Sequence, residues 1–142
     1  MRRSNPERGH SVIEAALIAP WFFLLFAGVL DYGFYAYALI STENAARVAA
    51  LHAASSPEFA NDHAAACALA LKELRALPNV GENVSACVEL PVLVTALSVS
   101  GPDGAQAARV SVTYESVQLF PIPGLPGKLT VTRTSEARLQ AE

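Results

Sequence analysis

Glu14 is the first residue whose type and position could do chemistry. It sits between Ile13 and Ala15 in RGHSVIEAALIAP (residues 8–20), where a run without any charge, AALIAPWFFLLFAGVL (15–30), is just beginning; the next carboxylate is Asp31. An unpaired acid at the centre of a membrane span costs about 2.5–3.5 kcal/mol on insertion scales, so Glu14 needs either a cationic partner or a place at the membrane face. His63 and Cys67 are four apart, a helical spacing that brings two metal donors together, but no further His or Cys cluster completes a site. The histidine therefore reads as solvated and the cysteine as structural. His52 lies in an alanine-rich stretch without a nucleophile pattern, no glycine-rich phosphate loop is present, and the basic residues are scattered. Enzymatic chemistry, cofactors, a small-molecule substrate and nucleic-acid binding thus find no support. The triplet NVS at 83–85 matches a glycosylation sequon, a pattern too common to carry weight.

Cys67 and Cys87 are the only two cysteines. In an oxidising compartment their natural fate is a disulfide that staples a small core, worth about 3 kcal/mol for a loop of this size. Against this, Cys87 alternates with Ser85 and Glu89 rather than with the apolar Ala86, Val88 and Leu90, and two free thiols remain the alternative.

The elements that must position these residues follow from composition and pattern. A chain of 142 residues with 16% charged side chains and a mean hydropathy of +0.31 is one domain's worth, part of it spent on a membrane segment. A helix places Glu14 and Asp31 roughly 25 Å apart, near the ~30 Å hydrocarbon thickness, so both can sit close to the membrane faces. Arg2, Arg3 and Arg8 outweigh Glu7 before the run, whereas the rest of the chain is net acidic, which puts the N-terminus in the cytoplasm and the C-terminal bulk outside. Three fates are open: an uncleaved anchor; a signal peptide cut after AYA (36–38), before Leu39; or a pilin-type N-terminal helix. Helix-forming sequence runs through the signal-peptide cut without turn residues to present it.

Strong helix formers continue to about Ala54, so helix 1 spans roughly Ser11 to Ala54, about 65 Å, and half of it projects from the bilayer as a stalk. Pro20 removes a backbone donor and locally loosens it. Ala38, Thr42, Ala46, Ala50 and Ala54 form a small-residue ladder, suited equally to packing under the head and to contact between subunits. SSPE (55–58) supplies a cap and first turn for helix 2, expected to run to about Leu77 with an apolar stripe of Ala64, Cys67, Ala68, Leu71 and Leu74 and with Lys72, Glu73 and Arg75 outside. TALSVS and ARVSVTYE alternate at period two about the turn GPDGAQ; VSACVEL is a further short strand ended by Pro91; KLTVTRTSEARLQ is the last. The expected class is α+β, two helices covering one face of a small antiparallel sheet. LFPIPGLPG (119–127) is an apolar loop whose Leu119, Phe120, Ile122 and Leu125 either cap the open end of the sheet or dock a neighbouring subunit.

Gly9 follows the short basic leader, with Glu14 the fifth residue after it and the apolar helix beyond. This resembles the prepilin-peptidase recognition pattern, which implies cleavage of the Gly9–His10 bond on the cytoplasmic side; glycine, lacking Cβ, lets the backbone enter a protease cleft extended. The cut frees an α-amine on His10, largely protonated at neutral pH, one helical turn from Glu14. RGHSVIEAALIAP, with GVLDYG and ENAARVAA, is similar to the TadE-like pseudopilin family of the tight-adherence (type IVc) pilus system, on Arg8, Gly9, Glu14, Ala16, Leu17, Pro20, Gly28, Asp31, Gly33, Ala46 and Arg47. The resemblance implies a minor, non-enzymatic pilin-like subunit of a bacterial inner membrane, crossing it once and used in building or anchoring adhesive pili. Its implied partners are the prepilin peptidase, other pilin-like subunits and the assembly platform, with Gly9 and His10 as processing site and Arg8, Glu14, Pro20 and Asp31 serving recognition and assembly. Residues 1–9 are then a leader, 10–55 the transmembrane and stalk helix, and 56–142 an extracytoplasmic head. The alternative is a secreted or anchored extracytoplasmic binding domain outside any pilus.

Overall fold

The computed structural model describes residues 7–81, 84–120 and 127–140, with side chains from Ser11 onward. A single helix, α1 (Glu7–Ala53), runs through 47 residues, about 70 Å. Pro20, Gly28 and Gly33 oppose helix inside it without ending it, and it stops where Ala54, Ser55 and Pro57 change the chemistry. The Ala54 amide still donates to Ala50 O, but the Ser55 amide and Oγ both donate to His52 O at 3.0 and 2.7 Å, and Pro57 has no donor to continue with.

Ser55 thus closes α1 instead of opening α2. A 3-10 turn (Phe59–Asn61) intervenes, and α2 spans His63–Leu74, shorter at both ends than the sequence suggests. Its cap is Asp62, whose Oδ1 accepts from the amides of Ala64 and Ala65 at 3.0 and 2.9 Å. The later start changes which face is buried. Ala66, Ala70 and Leu74 join the core, while Ala64 and Ala68 of the expected stripe are exposed and Cys67 and Leu71 are half-buried.

Strands β1 (Val88–Glu89), β2 (Val92–Ser100), β3 (Gln106–Glu115) and β4 (Thr130–Arg138) form an antiparallel meander in that order. The register aligns Val92, Tyr114 and Val131 in one row, and Ala96, Val110 and Ser135 in another, on the helix-facing side. The opposite face carries hydroxyls, with Thr134 donating to Ser111 and a bond between the hydroxyls of Thr113 and Thr132. Helix α1 packs over β3 and β4 and α2 over β2, one helical layer on one sheet face, an α+β fold.

The ladder Ala38, Thr42, Ala46, Ala50 and Ala54 is entirely buried, together with Ala45, Ala49 and Ala53. This half of α1 is the central element of the head, enclosed on the sheet side and by α2 instead of standing free as a stalk. Methyl side chains let the second helix and the sheet approach it closely, and Thr42 satisfies its hydroxyl within the helix by donating to Ala38 O at 2.7 Å. Asn44 Nδ2 donates to Glu73 Oε2 at 2.7 Å, joining α1 to α2. The largest buried side chain is Tyr114; its hydroxyl donates to Asn79 Oδ1 at 2.6 Å, and Asn79 Nδ2 donates to Glu115 O at 2.7 Å, fastening the chain after α2 to the sheet end. Burial pushes the Tyr114 phenol up to about 12, against a smaller downward pull from the Asn79 bond.

Candidate functional site

The first half of α1 is a different surface from the second. From Ser11 through Phe26 every side chain is exposed, including Trp21, Phe22, Phe23 and Phe26; Ala27 is buried, and from Ala38 on the helix contributes steadily to the core. This is one helix long and apolar enough to cross a membrane, and its length and composition fit a membrane anchor. Pro20 stands within the exposed half without ending the helix. Among the described residues nothing covers the side chains of 11–26, and an apolar surface of this size is suited to lipid or to another helix.

Arg8, Gly9, His10, Glu14, Pro20 and Asp31, the residues expected to serve processing and assembly, all stand on α1. Glu14 is exposed, and among the described residues no hydrogen bond or ion pair holds its carboxylate. Gly9 and His10 lie in the first turns of α1, so a protease reading the chain extended must unwind that end first; their side chains, and that of Arg8, lie outside the described residues. Asp31 is engaged where the sequence left it simply at a membrane face: its Oδ1 accepts from the Leu119 amide at 3.1 Å, across 88 residues of chain. The described part of the apolar loop is thereby fixed at the foot of the head, with Leu119 exposed and Phe120 half-buried. Ile122 and Leu125 lie outside the described residues, as does Asn83 of the sequon.

Cys67 and Cys87 are joined, with Cα atoms 5.7 Å apart. The alternation that argued against a bridge is real, but β1 is turned around. Cys87 is buried while Ala86, Val88 and Leu90 face outward, because β1 pairs with β2 over only two residues and its orientation is set by the disulfide to α2. Ala64, Cys67, Ala68, Leu71, Val88 and Val94 line an open apolar groove of about 590 Å³ between α2 and this strand.

His63 has a role that its spacing to Cys67 did not suggest. With Cys67 committed to the bridge, the imidazole accepts the Ala96 amide through Nδ1 at 3.2 Å, so Nδ1 carries no proton. Asn61 Oδ1 accepts the Ser98 amide at 2.9 Å, and Cys87 O accepts that of Val94 at 3.0 Å. Amides 94, 96 and 98 are the outward donors of β2 beyond the reach of β1, and each has been given an acceptor.

The comparisons with known proteins fall on the same half of the molecule. No curated protein and no solved structure gives a match to the chain. Residues 9–51 match the family model described as TadE-like protein, the helix from Gly9 almost to the end of α1. Over the stretch that carries Gly9, Glu14, Pro20 and Asp31, the chain is thus similar to TadE-like proteins of the Tad pilus system, a structural, pilus-associated family.

Proposed function

We propose that this protein is a minor pilin-like subunit of a Tad-type adhesive pilus, cut after Gly9, held in the inner membrane by residues 10 to about 37, and assembled by packing that helix among those of other subunits. The cut is assigned to a prepilin peptidase acting on the cytoplasmic side; the head lies on the other side and works with the assembly platform. The observation that carries the reading is the carboxylate of Glu14, exposed and, among the described residues, without a partner on a helix stretch otherwise clothed in apolar side chains. Cleavage supplies what it lacks. The new α-amine of His10 is one turn away, and it can meet Glu14 of its own chain or of a neighbour, removing most of the cost of holding that acid in hydrocarbon. Pairing during docking would also set the axial register of one helix against the next.

Cleavage after Ala38 fits the molecule less well, because α1 passes through that position unbroken and Ala38 is itself fully buried in the head. N-terminal sequencing of the protein purified from its host separates the fates: a start at His10 supports the pilin reading, a start at Leu39 a secreted head, and an intact leader a plain anchor. Glu14→Ala is expected to leave membrane insertion unchanged and to lower pilus assembly at least several-fold by immunoblot of sheared filaments. Normal assembly by that variant would overturn the pairing mechanism.

A further inference from the structure

We propose that the segment Val117–Phe120, which follows β3, is a membrane-surface contact that lies in the lipid headgroup layer beside the helix that emerges from it. The inference rests on α1 being membrane-embedded and adds a second point at which the protein meets lipid. Its anchor is the bond from the Leu119 amide to Asp31 Oδ1. Asp31 is the first charge after the uncharged run 15–30, so this bond fixes the segment at the height where the helix leaves hydrocarbon.

The segment is also held from above. Ser116 donates its amide to Leu129 O at 2.9 Å and accepts the Leu129 amide on its Oγ at 3.1 Å, while Lys128 Nζ bonds Glu115 Oε1 at 2.8 Å. A stem closed in this way, tied below to Asp31, cannot fold Leu119 into the core. Leu119 stays 43% exposed beside Phe120, in a stretch, VQLF, without a charge. On the helix at the same level are Tyr32, 74% exposed, and the half-buried Tyr35, both within about 6 Å of Asp31 along the axis. The headgroup layer on each side of a bilayer is about 5–8 Å deep, and tyrosine is enriched there because its ring is apolar and its tip polar. Continuity with the apolar run, the tyrosines and the uncharged segment together select a lipid surface as occupant.

The test places tryptophan in the full chain, reconstituted at low density in phosphatidylcholine–phosphatidylglycerol liposomes, and reads quenching by lipids brominated at known depths. Trp21, the only native tryptophan, first reports on the helix. In a Trp21→Phe background, Leu119→Trp is expected to be quenched most by the shallowest bromine and little by aqueous iodide. Leu97→Trp, on the hydroxyl face of the sheet, should respond to iodide alone. Phe120→Trp keeps an aromatic ring and gives an independent reading should Leu119→Trp disturb the fold. Adding Asp31→Leu to Leu119→Trp removes the anchor and should cut the shallow quenching several-fold. If Trp21 is quenched by deep bromines while Leu119→Trp and Phe120→Trp behave like Leu97→Trp, the surface contact is overturned and the embedded helix stands. If residue 119 is shielded from lipid and iodide alike, its occupant is a second copy and the proposal falls. An unquenched Trp21 overturns the membrane reading itself.

Discussion

Asn79 and Tyr114 show how one polar pair can close a core that has few large side chains to offer. Tyr114 fills the space between the sheet and the chain leaving α2, and Asn79 takes up its hydroxyl. The raised phenol has a consequence for alkaline stability. Between pH 10 and about 12 the unfolded chain releases this proton while the folded chain keeps it. The unfolded state then binds fewer protons, so stability is intact below pH 10 and declines as pH rises toward 12. Urea unfolding in detergent should show that decline in the native protein, and Tyr114→Phe should flatten it while lowering stability at pH 7 by about 1–3 kcal/mol through the orphaned Asn79 acceptor. Neither residue announces this in sequence, since a tyrosine at the end of an alternating strand and an asparagine before a turn are each ordinary there. Glu14 is the opposite case. An acid in an uncharged run is conspicuous from sequence because hydrocarbon makes it costly, and the same cost makes it informative.

At the scale of elements, the two edges of the sheet are treated differently. The outward amides of Val94, Ala96 and Ser98 in β2 are taken by Cys87, His63 and Asn61, whereas the described strands leave β4 paired on one side, with β3. Replacing His63 and Asn61 by alanine should cost about 1 kcal/mol each and speed amide exchange at 96 and 98 selectively, which hydrogen–deuterium exchange would read. The alanine face of α1 sets a different limit. Ala46→Leu or Ala50→Leu overfills a contact built for methyl groups and should destabilise the head by about 1–3 kcal/mol by thermal melting. The long helix and the antiparallel strands were legible in sequence, because an unbroken run of apolar residues and helix formers, alternation at period two and the turn GPDGAQ state them directly; which face of β2 meets the helices was not, since Ala96 is buried and the larger Leu97 is exposed. The start of α2 was not. Ser55, Ser56 and Pro57 look like an N-terminal cap, but Asp62 accepts two amides where those serines accept none of the helix's own. The helix starts at His63, six residues after Pro57, and buries Ala66 and Ala70 in place of Ala64 and Ala68. The long-range bonds of Asp31, Asn61, His63 and Asn79 leave no periodic signal at all, so this part of the site was out of reach.

The whole molecule is two surfaces sharing one helix, apolar and exposed from Ser11 through Phe26, buried along one face from Ala38 to Ala53. A chain shortened to begin at Tyr32 keeps every residue of the core cluster and should be water-soluble, oxidised and folded by gel filtration and near-ultraviolet circular dichroism. One beginning at Leu39 loses Ala38 and should melt lower. Removing the bridge with Cys67→Ala and Cys87→Ala should cost about 3 kcal/mol, and the groove between α2 and β1 should open as β1 loses the tie that turns it inward. The position of β4 carries a last implication, for biosynthesis. The ribosome delivers α1 first and β4 last, yet the two pack together, with the Gln140 amide bonded to Ala54 O at 3.0 Å. The row of small side chains on α1 therefore lacks part of its cover until β4 has been made. The head closes only after β4 has left the ribosome, so a quality-control protease has its best opportunity against chains that hold α1 through β3 but still lack this strand.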